Sequence, residues 1–303
     1  MTLNASACNT MILPRLRDIA SSYDVILCDI WGVVHDGESH FAAAADALIR
    51  FRAGGGTVVL ITNAPRPAGP IRRQLDQLSV PRLAYDALVT SGDVTIQLIT
   101  ARGAQKIHHI GPPRDLALFA EAREATGAAA RLVPLHEADY VVCTGLFDDD
   151  TETPADYRAT LAAMLAASQP MVSANPDIVV HRGTTLLYCA GALAQAYAAM
   201  GGQVQQAGKP FAPIYEQAMR LAGTTGNLRV LAIGDALATD MRGAKMAGID
   251  GLFITSGIHR EDLHGSGEDL HGAGAAELSA AGLGHFLADS DLQPRYAMPA
   301  LRW

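Results

Sequence analysis

The chain has 303 residues, 49 % of them apolar and 18 % charged, with a formal net charge of −8. Its length suggests about two domains. The acidic balance, with no basic run and no Arg/Lys stripe, argues against a nucleic-acid-binding surface, and an anionic substrate would need a local positive site working against the overall field.

The cysteines, Cys8, Cys28, Cys143 and Cys189, form no C-x-x-C pair, which argues against zinc. Cys28, Cys143 and Cys189 sit among apolar residues, as small hydrophobes do in a reducing compartment. The N-terminus lacks a signal-peptide pattern, and no apolar run approaches the ~20 residues that span a bilayer. The expected location is the cytoplasm, with no membrane partner.

In chain order, Tyr23–Asp29 is a continuous apolar run ending in a carboxylate, the mark of a buried parallel strand. Phe41–Arg52 reads as a helix closed by Gly54-Gly55-Gly56. Thr57–Thr62 is the next strand, Pro67–Leu78 a helix, Ala87–Thr90 a short strand and Gly92–Ala101 a helix. A separate middle stretch follows. Its strands are Lys106–Ile110, Tyr140–Cys143 and Pro170–Ala174; its helices are Arg114–Ala125, Pro154–Ala167 and Cys189–Met200. The first pattern then resumes. Gln203–Ala207 leads into Gly208-Lys209-Pro210, then a helix at Pro213–Leu221 and a strand at Arg229–Ile233. A helix at Ala238–Ala247 and a strand at Gly251–Thr255 close it. The Gly- and His-rich segment His259–Gly274 reads as a flexible loop.

Strands alternating with helices imply a parallel sheet covered on both faces. Ligands of such sheets sit beyond the carboxyl ends of the strands, where Asp29, Thr62, Lys209 and Asp235 fall. A carboxylate at a strand end can attack phosphorus, and Gly32 lets the following backbone turn its amides toward an anion. Asp235 and Asp240 flank a strand-to-helix turn, and Mg²⁺ favours one or two carboxylates with phosphate oxygens. The Lys209 ammonium could neutralise a carboxylate and a phosphate oxygen together. The Thr62 hydroxyl and the Asn63 amide could bind phosphate. Read singly, Asp29 is equally a turn former, Lys209 a solvated side chain and Thr62 a loop start.

Together, Asp-x-x-Gly-Val-Val, Thr-Asn, Gly-Lys-Pro and Gly-Asp-x-x-x-x-Asp occur in this order, each after a strand. The arrangement resembles the haloacid dehalogenase (HAD) superfamily over nearly the whole chain. Val89-Thr90-Ser91-Gly92, Ala174-Asn175-Pro176-Asp177 and Ala190-Gly191-Ala192-Leu193 look like its class IIA branch of nucleotide, sugar and p-nitrophenyl phosphatases. The resemblance implies an α/β fold, with a Rossmann-like core at residues 1–102 and 203–303 and an inserted α/β cap of the C2 type at 103–202. It implies a small phosphorylated metabolite as substrate, Mg²⁺ as cofactor and a homodimer formed through the cap. Asp29 would be the nucleophile that becomes an aspartyl-phosphate. Thr62, Asn63, Gly32 and Lys209 would serve the phosphate. Asp29, Asp235 and the Trp31 main-chain carbonyl would hold the metal, supported by Asp240. Asn175 and Asp177 would touch the substrate or shape the cap.

One position departs from that pattern. The family's phosphatases carry a second Asp two residues after the nucleophile, as general acid and base, and this chain has Trp31. Such help is typically worth ~10²–10⁴ in rate, and an indole cannot supply it. Three readings follow: hydrolysis restricted to good leaving groups, a substitute group such as His35 or Asp36, or a phospho-ligand binder that does not turn over. An exposed loop position is the plainer expectation for His35. Dehalogenases also carry an aromatic residue here, but their cap precedes the Thr62 motif, and the pair Asp235 and Asp240 favours phosphate chemistry.

Overall fold

The structure, a computed structural model, describes residues 10–126, 130–182, 185–223, 228–264 and 278–303. Among these, the strands in chain order are β1 (Met11–Ile12), β2 (Val25–Cys28), β3 (Thr57–Thr62), β4 (Ala87–Thr90), β5 (Lys106–Ile110), β6 (Arg131–Leu132) and β7 (Tyr140–Cys143). They continue with β8 (Met171–Ser173), β9 (Val179–Arg182), β10 (Thr185–Tyr188), β11 (Val204–Gln206), β12 (Val230–Gly234), β13 (Asp250–Ile254) and β14 (Tyr296–Met298). The chain divides into two compact units. One comprises residues 1–61, 75–88 and 216–303, the other residues 62–74 and 89–215.

The first unit is built on a seven-stranded sheet of order β1-β14-β13-β12-β2-β3-β4. The pairs from β1 through β3 in that order are all parallel. Every residue of β2 and β12 is buried, which explains why these strands read as unbroken apolar runs rather than as alternating ones. Strands β1 and β14, two and three residues long, were not visible in the apolar pattern. They pair the first described residues with the last, Met11 opposite Tyr296, and Leu16 N extends the join to Arg302 O at 2.8 Å.

The second unit carries a five-stranded parallel sheet of order β11-β8-β7-β5-β6 and an antiparallel pair β9–β10. The pattern of the middle stretch suggested the three long strands of this sheet but not the β9–β10 pair. Tyr140, Phe119 and Val142 pack one apolar cluster, and Tyr157, Met164 and Tyr197 another. The helix Ser91–Arg102 starts on a capping box, in which the Thr90 hydroxyl accepts from Asp93 N at 2.9 Å and Asp93 accepts from Thr90 N at 3.0 Å.

Two expectations change. Residues Arg260–His264 form a helix where a loop was expected, and residues 265–274 of that segment lie outside the described residues. The helix expected over Ala238–Ala247 begins instead as a π-turn at Leu237–Met241 and continues as α-helix over Arg242–Ala247.

Leu60, in β3, is fully buried, whereas Leu83 is 69 % exposed. Leu60→Ala should lower unfolding free energy by about 2–5 kcal/mol through lost transfer energy and a residual cavity. Leu83→Ala should stay within about 0.5 kcal/mol. Urea denaturation of the two variants checks both.

Candidate active site

The first unit assembles an acidic cluster from strand register. Strand β12 lies beside β2 with Ile233 opposite Cys28, and Asp29 N continues the ladder by donating to Ile233 O at 2.8 Å. The chain thus leaves both strands at the same edge, and Asp29 and Asp235 emerge together. Asp240 returns to them through the π-turn, where Asp240 N and Met241 N both donate to Ala236 O. Ala236 N in turn donates to Asp240 Oδ2 at 3.1 Å. One carboxylate oxygen from each of Asp29, Asp235 and Asp240 lies within 4.8 Å of the others. The three residues are only 6 %, 7 % and 3 % exposed.

Glycines make this convergence sterically possible. A Cβ on Gly234 would sit 2.1 Å from Asp240 Cγ, and one on Gly257 would sit 1.9 Å from Asp235 Oδ2. Gly32, at φ +72°, lets the turn after Asp29 close over the same Asp235 oxygen, where a Cβ would fall 2.1 Å away. Asp235 Oδ2 is also held by Ile258 N at 2.7 Å. Three buried carboxylates so close repel one another and have lost hydration, so a cation is the chemical complement of the site. An all-oxygen donor set suits a hard divalent ion such as Mg²⁺ or Ca²⁺.

Trp31 is half-buried beside this cluster in sequence, and its ring meets that of His35 edge to face at 4.8 Å. Gly32 N donates to His35 O at 2.8 Å. The expectation of an exposed His35 is corrected, since the residue is 1 % exposed. Burial drives its pKa down to about 4, opposed by the nearby Asp36. Gly37 N donates to His35 Nδ1 at 3.0 Å, so the neutral ring carries its proton on Nε2. A ring in that state has no available lone pair with which to take a proton. Asp36 is occupied by Glu38 N and Ser39 N.

The second unit holds Thr62, Asn63, Asn175, Asp177 and Lys209, and Asn63 ties three of its segments together. Asn63 Oδ1 accepts from Lys209 N at 2.7 Å, while Nδ2 donates to Asp177 Oδ1 at 2.8 Å and to Lys209 O at 3.3 Å. The Asn63 side chain is therefore structural, which leaves its main chain for any anion. Asn175 Oδ1 accepts from Asp177 N at 2.9 Å, and both residues shape a loop. The Thr62 hydroxyl accepts from Ala64 N at 3.2 Å. Gly208 sits at φ +95°, and a Cβ there would fall 2.5 Å from Asn63 Oδ1. Lys209 is 2 % exposed, so it is not a solvated surface lysine. Sequence spacing carried no sign of the Asn63 hub.

Two predictions follow from this geometry. Gly257→Ala must displace the Asp235 carboxylate, and titration calorimetry with Mg²⁺ or Ca²⁺ should show at least about tenfold weaker binding, comparable to loss of a supporting ligand contact. Between pH about 6.5 and 4 an unfolded His35 is protonated while the folded one is not. The unfolded state then binds more protons, so stability falls as pH drops through that window, by about 2–3 kcal/mol at pH ~4.5. Urea midpoints at pH ~7 and ~4.5 should converge in His35→Phe relative to the parent chain.

A haloacid dehalogenase-like hydrolase model matches residues 26–124, and a HAD-hydrolase-like model matches residues 206–278. A solved haloacid dehalogenase-like family hydrolase from Brucella suis 1330 is 44 % identical, with a TM-score of 0.80 over 95 % of this chain and 100 % of its own. The D-glycerol 3-phosphate phosphatase of Mycobacterium tuberculosis is 27 % identical over 249 residues, 80 % of this chain. That match spans 66 % of the mycobacterial protein, just under two thirds of its length. A structure of glycerol phosphate phosphatase from the same organism, in complex with calcium, has a TM-score of 0.61 at 25 % identity, covering 81 % of this chain and 69 % of its own. The strand-end motifs, the carboxylate cluster and the 44 % identity over the full Brucella chain place this protein in the haloacid dehalogenase-like hydrolase family.

Proposed function

We propose that the protein is a Mg²⁺-dependent phosphohydrolase of the class IIA branch, acting on a small phosphorylated metabolite through Asp29. The observation that carries this reading is the set of three buried carboxylates, Asp29, Asp235 and Asp240, with oxygens within 4.8 Å of one another. The D-glycerol 3-phosphate phosphatase relative and the calcium-bound glycerol phosphate phosphatase structure, both from M. tuberculosis, support it. In this reading residues 103–202 form the cap between core segments 1–102 and 203–303. The enzyme works in the cytoplasm, as a homodimer through that cap.

Asp29, Asp235, Asp240 and the Trp31 carbonyl would hold the ion, which supplies charge neutralisation at the transferring phosphoryl group. An Asp29 carboxylate oxygen attacks phosphorus as the ester P–O bond breaks in line, giving an aspartyl-phosphate. The leaving oxygen departs with the electron pair and takes its proton from water, because Trp31 offers none. Water then attacks phosphorus, which releases inorganic phosphate and restores Asp29. The Thr62 hydroxyl and the main-chain amides near Gly32 and Asn63 bind phosphoryl oxygens, and the Lys209 ammonium balances charge. Such transfers depend chiefly on positioning and electrostatics, so they survive loss of the acid best when the leaving group is a good one. Binding of a phosphorylated ligand without turnover is the second reading, favoured by Trp31 alone.

Assays with p-nitrophenyl phosphate, acetyl phosphate and glycerol 3-phosphate in Mg²⁺ test the proposal. The aryl and acyl phosphates should turn over faster than the alkyl ester, and Asp29→Asn should abolish all three. Trp31→Asp should raise alkyl ester hydrolysis by at least about tenfold, toward the usual worth of a general acid. Mg²⁺-dependent ligand binding without hydrolysis in either protein would establish the second reading.

A further inference from the structure

The first unit contains a cavity of about 250 Å³ at the amino end of β13. There Asp250 and Gly251 stand opposite Leu231 and Ala232, whereas the three acids gather past the carboxyl end of β12. Met241, Ala244 and Leu292 give the cavity apolar lining. A dry cavity of about 150 Å³ admits benzene, so this one has room for a ring or a branched chain that carries one polar group.

Its charged lining is Lys245, Asp250, Asp291 and Arg295. Lys245 Nζ donates to Asp291 O at 2.7 Å and to its Oδ2 at 3.3 Å, and Arg242 Nη2 donates to Asp291 Oδ1 at 3.3 Å. Asp250 Oδ2 accepts from Arg295 Nη1 at 2.9 Å and from the Tyr23 hydroxyl at 2.6 Å. Three bases here meet two acids, a local positive excess on a chain of net charge −8. A guanidinium carries five N–H donors. Among the described residues Arg295 commits one of them, to Asp250, so its fork keeps donors for a carboxylate.

Met241 links this cavity to the acids. It ends the π-turn, directly after Asp240, and each of the two side chains lies against a glycine. Asp240 covers Gly234, and a Cβ on Gly251 would fall 2.9 Å from Met241 Sδ. Ala236 O accepts from Asp240 N at 3.0 Å, the α-helical step, and from Met241 N at 3.2 Å, the π step. The two registers thus share one acceptor, and a change to either alone rotates both side chains about the axis of the turn.

We propose that this cavity is a regulatory site for a small monocarboxylate with a compact apolar body, whose occupancy holds the π-turn in the register that keeps Asp240 at the acidic cluster. The carboxylate pairs with Lys245 and Arg295, and the apolar body packs on Met241, Ala244 and Leu292. The ligand favours the register described here, so it tightens divalent-ion binding, and the ion tightens the ligand by the same factor. The site requires the cation cluster and is independent of phosphate turnover.

Calorimetry on the full chain tests this, with phenylacetate and 4-methylpentanoate as probes and phenylacetamide as the neutral control, at fixed ionic strength. Phenylacetate should bind at least about tenfold more tightly than phenylacetamide, and Lys245→Gln or Arg295→Gln should bring that ratio toward one. Both side chains are exposed, so these variants should fold as the parent does. With phenylacetate saturating, the Mg²⁺ dissociation constant should fall by about fivefold or more. Saturating Mg²⁺ should lower the phenylacetate constant by the same factor, and Met241→Ala should bring that factor near one. No binding of either acid up to ~10 mM, equal binding of acid and amide, an unchanged Mg²⁺ affinity, or coupling that survives Met241→Ala overturns the proposal. A chain that fails these tests yet hydrolyses p-nitrophenyl phosphate loses the regulatory site alone. One that passes them without hydrolysis loses the phosphohydrolase reading alone, and Mg²⁺ that does not bind the parent chain overturns both.

Discussion

Three carboxylates with oxygens inside a 4.8 Å span, each less than a tenth exposed, are the electrostatic constraint on the first unit. Without a compensating charge they repel one another in a medium that hydrates them poorly. With a divalent ion the same arrangement becomes stabilising, because ligand binding to the native state alone adds to its stability. The rest of the local structure serves this proximity. Parallel register between β2 and β12 delivers two of the acids to one edge, the π-turn folds the third back, and Gly32, Gly234 and Gly257 remove the side chains that would hold them apart.

The polar residues Thr62, Asn63, Asp177 and Lys209 of the second unit are organised on a different principle. There a neutral amide, Asn63, takes up both hydrogen-bonding faces of the Lys209 peptide region and one oxygen of Asp177. Residues 114 and 146 positions away along the chain are thereby bound to the residue that follows Thr62. Buried amides satisfied on every face rigidify a site without adding charge to it. A lysine nearly removed from solvent needs such a framework, since its long side chain would otherwise lose entropy for no defined geometry.

Much of this was legible in the sequence, for physical reasons that also explain the gaps. Buried parallel strands write themselves as apolar runs, so β2, β3, β7 and β12 were visible, and with them the polar residues at their ends. The spacing Gly234-Asp235…Asp240 signalled a turn that returns a carboxylate, although the π-turn geometry depends on backbone bonds that no residue pattern encodes. Strands β1 and β14 were not legible, because two- and three-residue strands carry no period. His35 looked like a loop residue because its neighbours Asp36, Gly37 and Glu38 are polar. Its burial comes from packing against Trp31 and a hydrogen bond two residues long.

That last contact bears on the chemistry. The indole at position 31 is fixed edge to face against a ring that is itself neutral, buried and committed at Nδ1 to Gly37. Neither of these two rings therefore offers an acid to protonate a departing alkoxide or a base to activate water. Asp36 in the same loop accepts from two backbone amides at Oδ1. Under the function proposed above, chemistry at Asp29 then relies on charge neutralisation and on the intrinsic stability of the leaving group rather than on a proton from position 31 or 35. In that reading the indole at position 31 bears on the identity of the substrate: without an acid there, the reaction favours leaving groups that depart as stable anions, and binding energy at a group remote from the reacting bond can be used to position it.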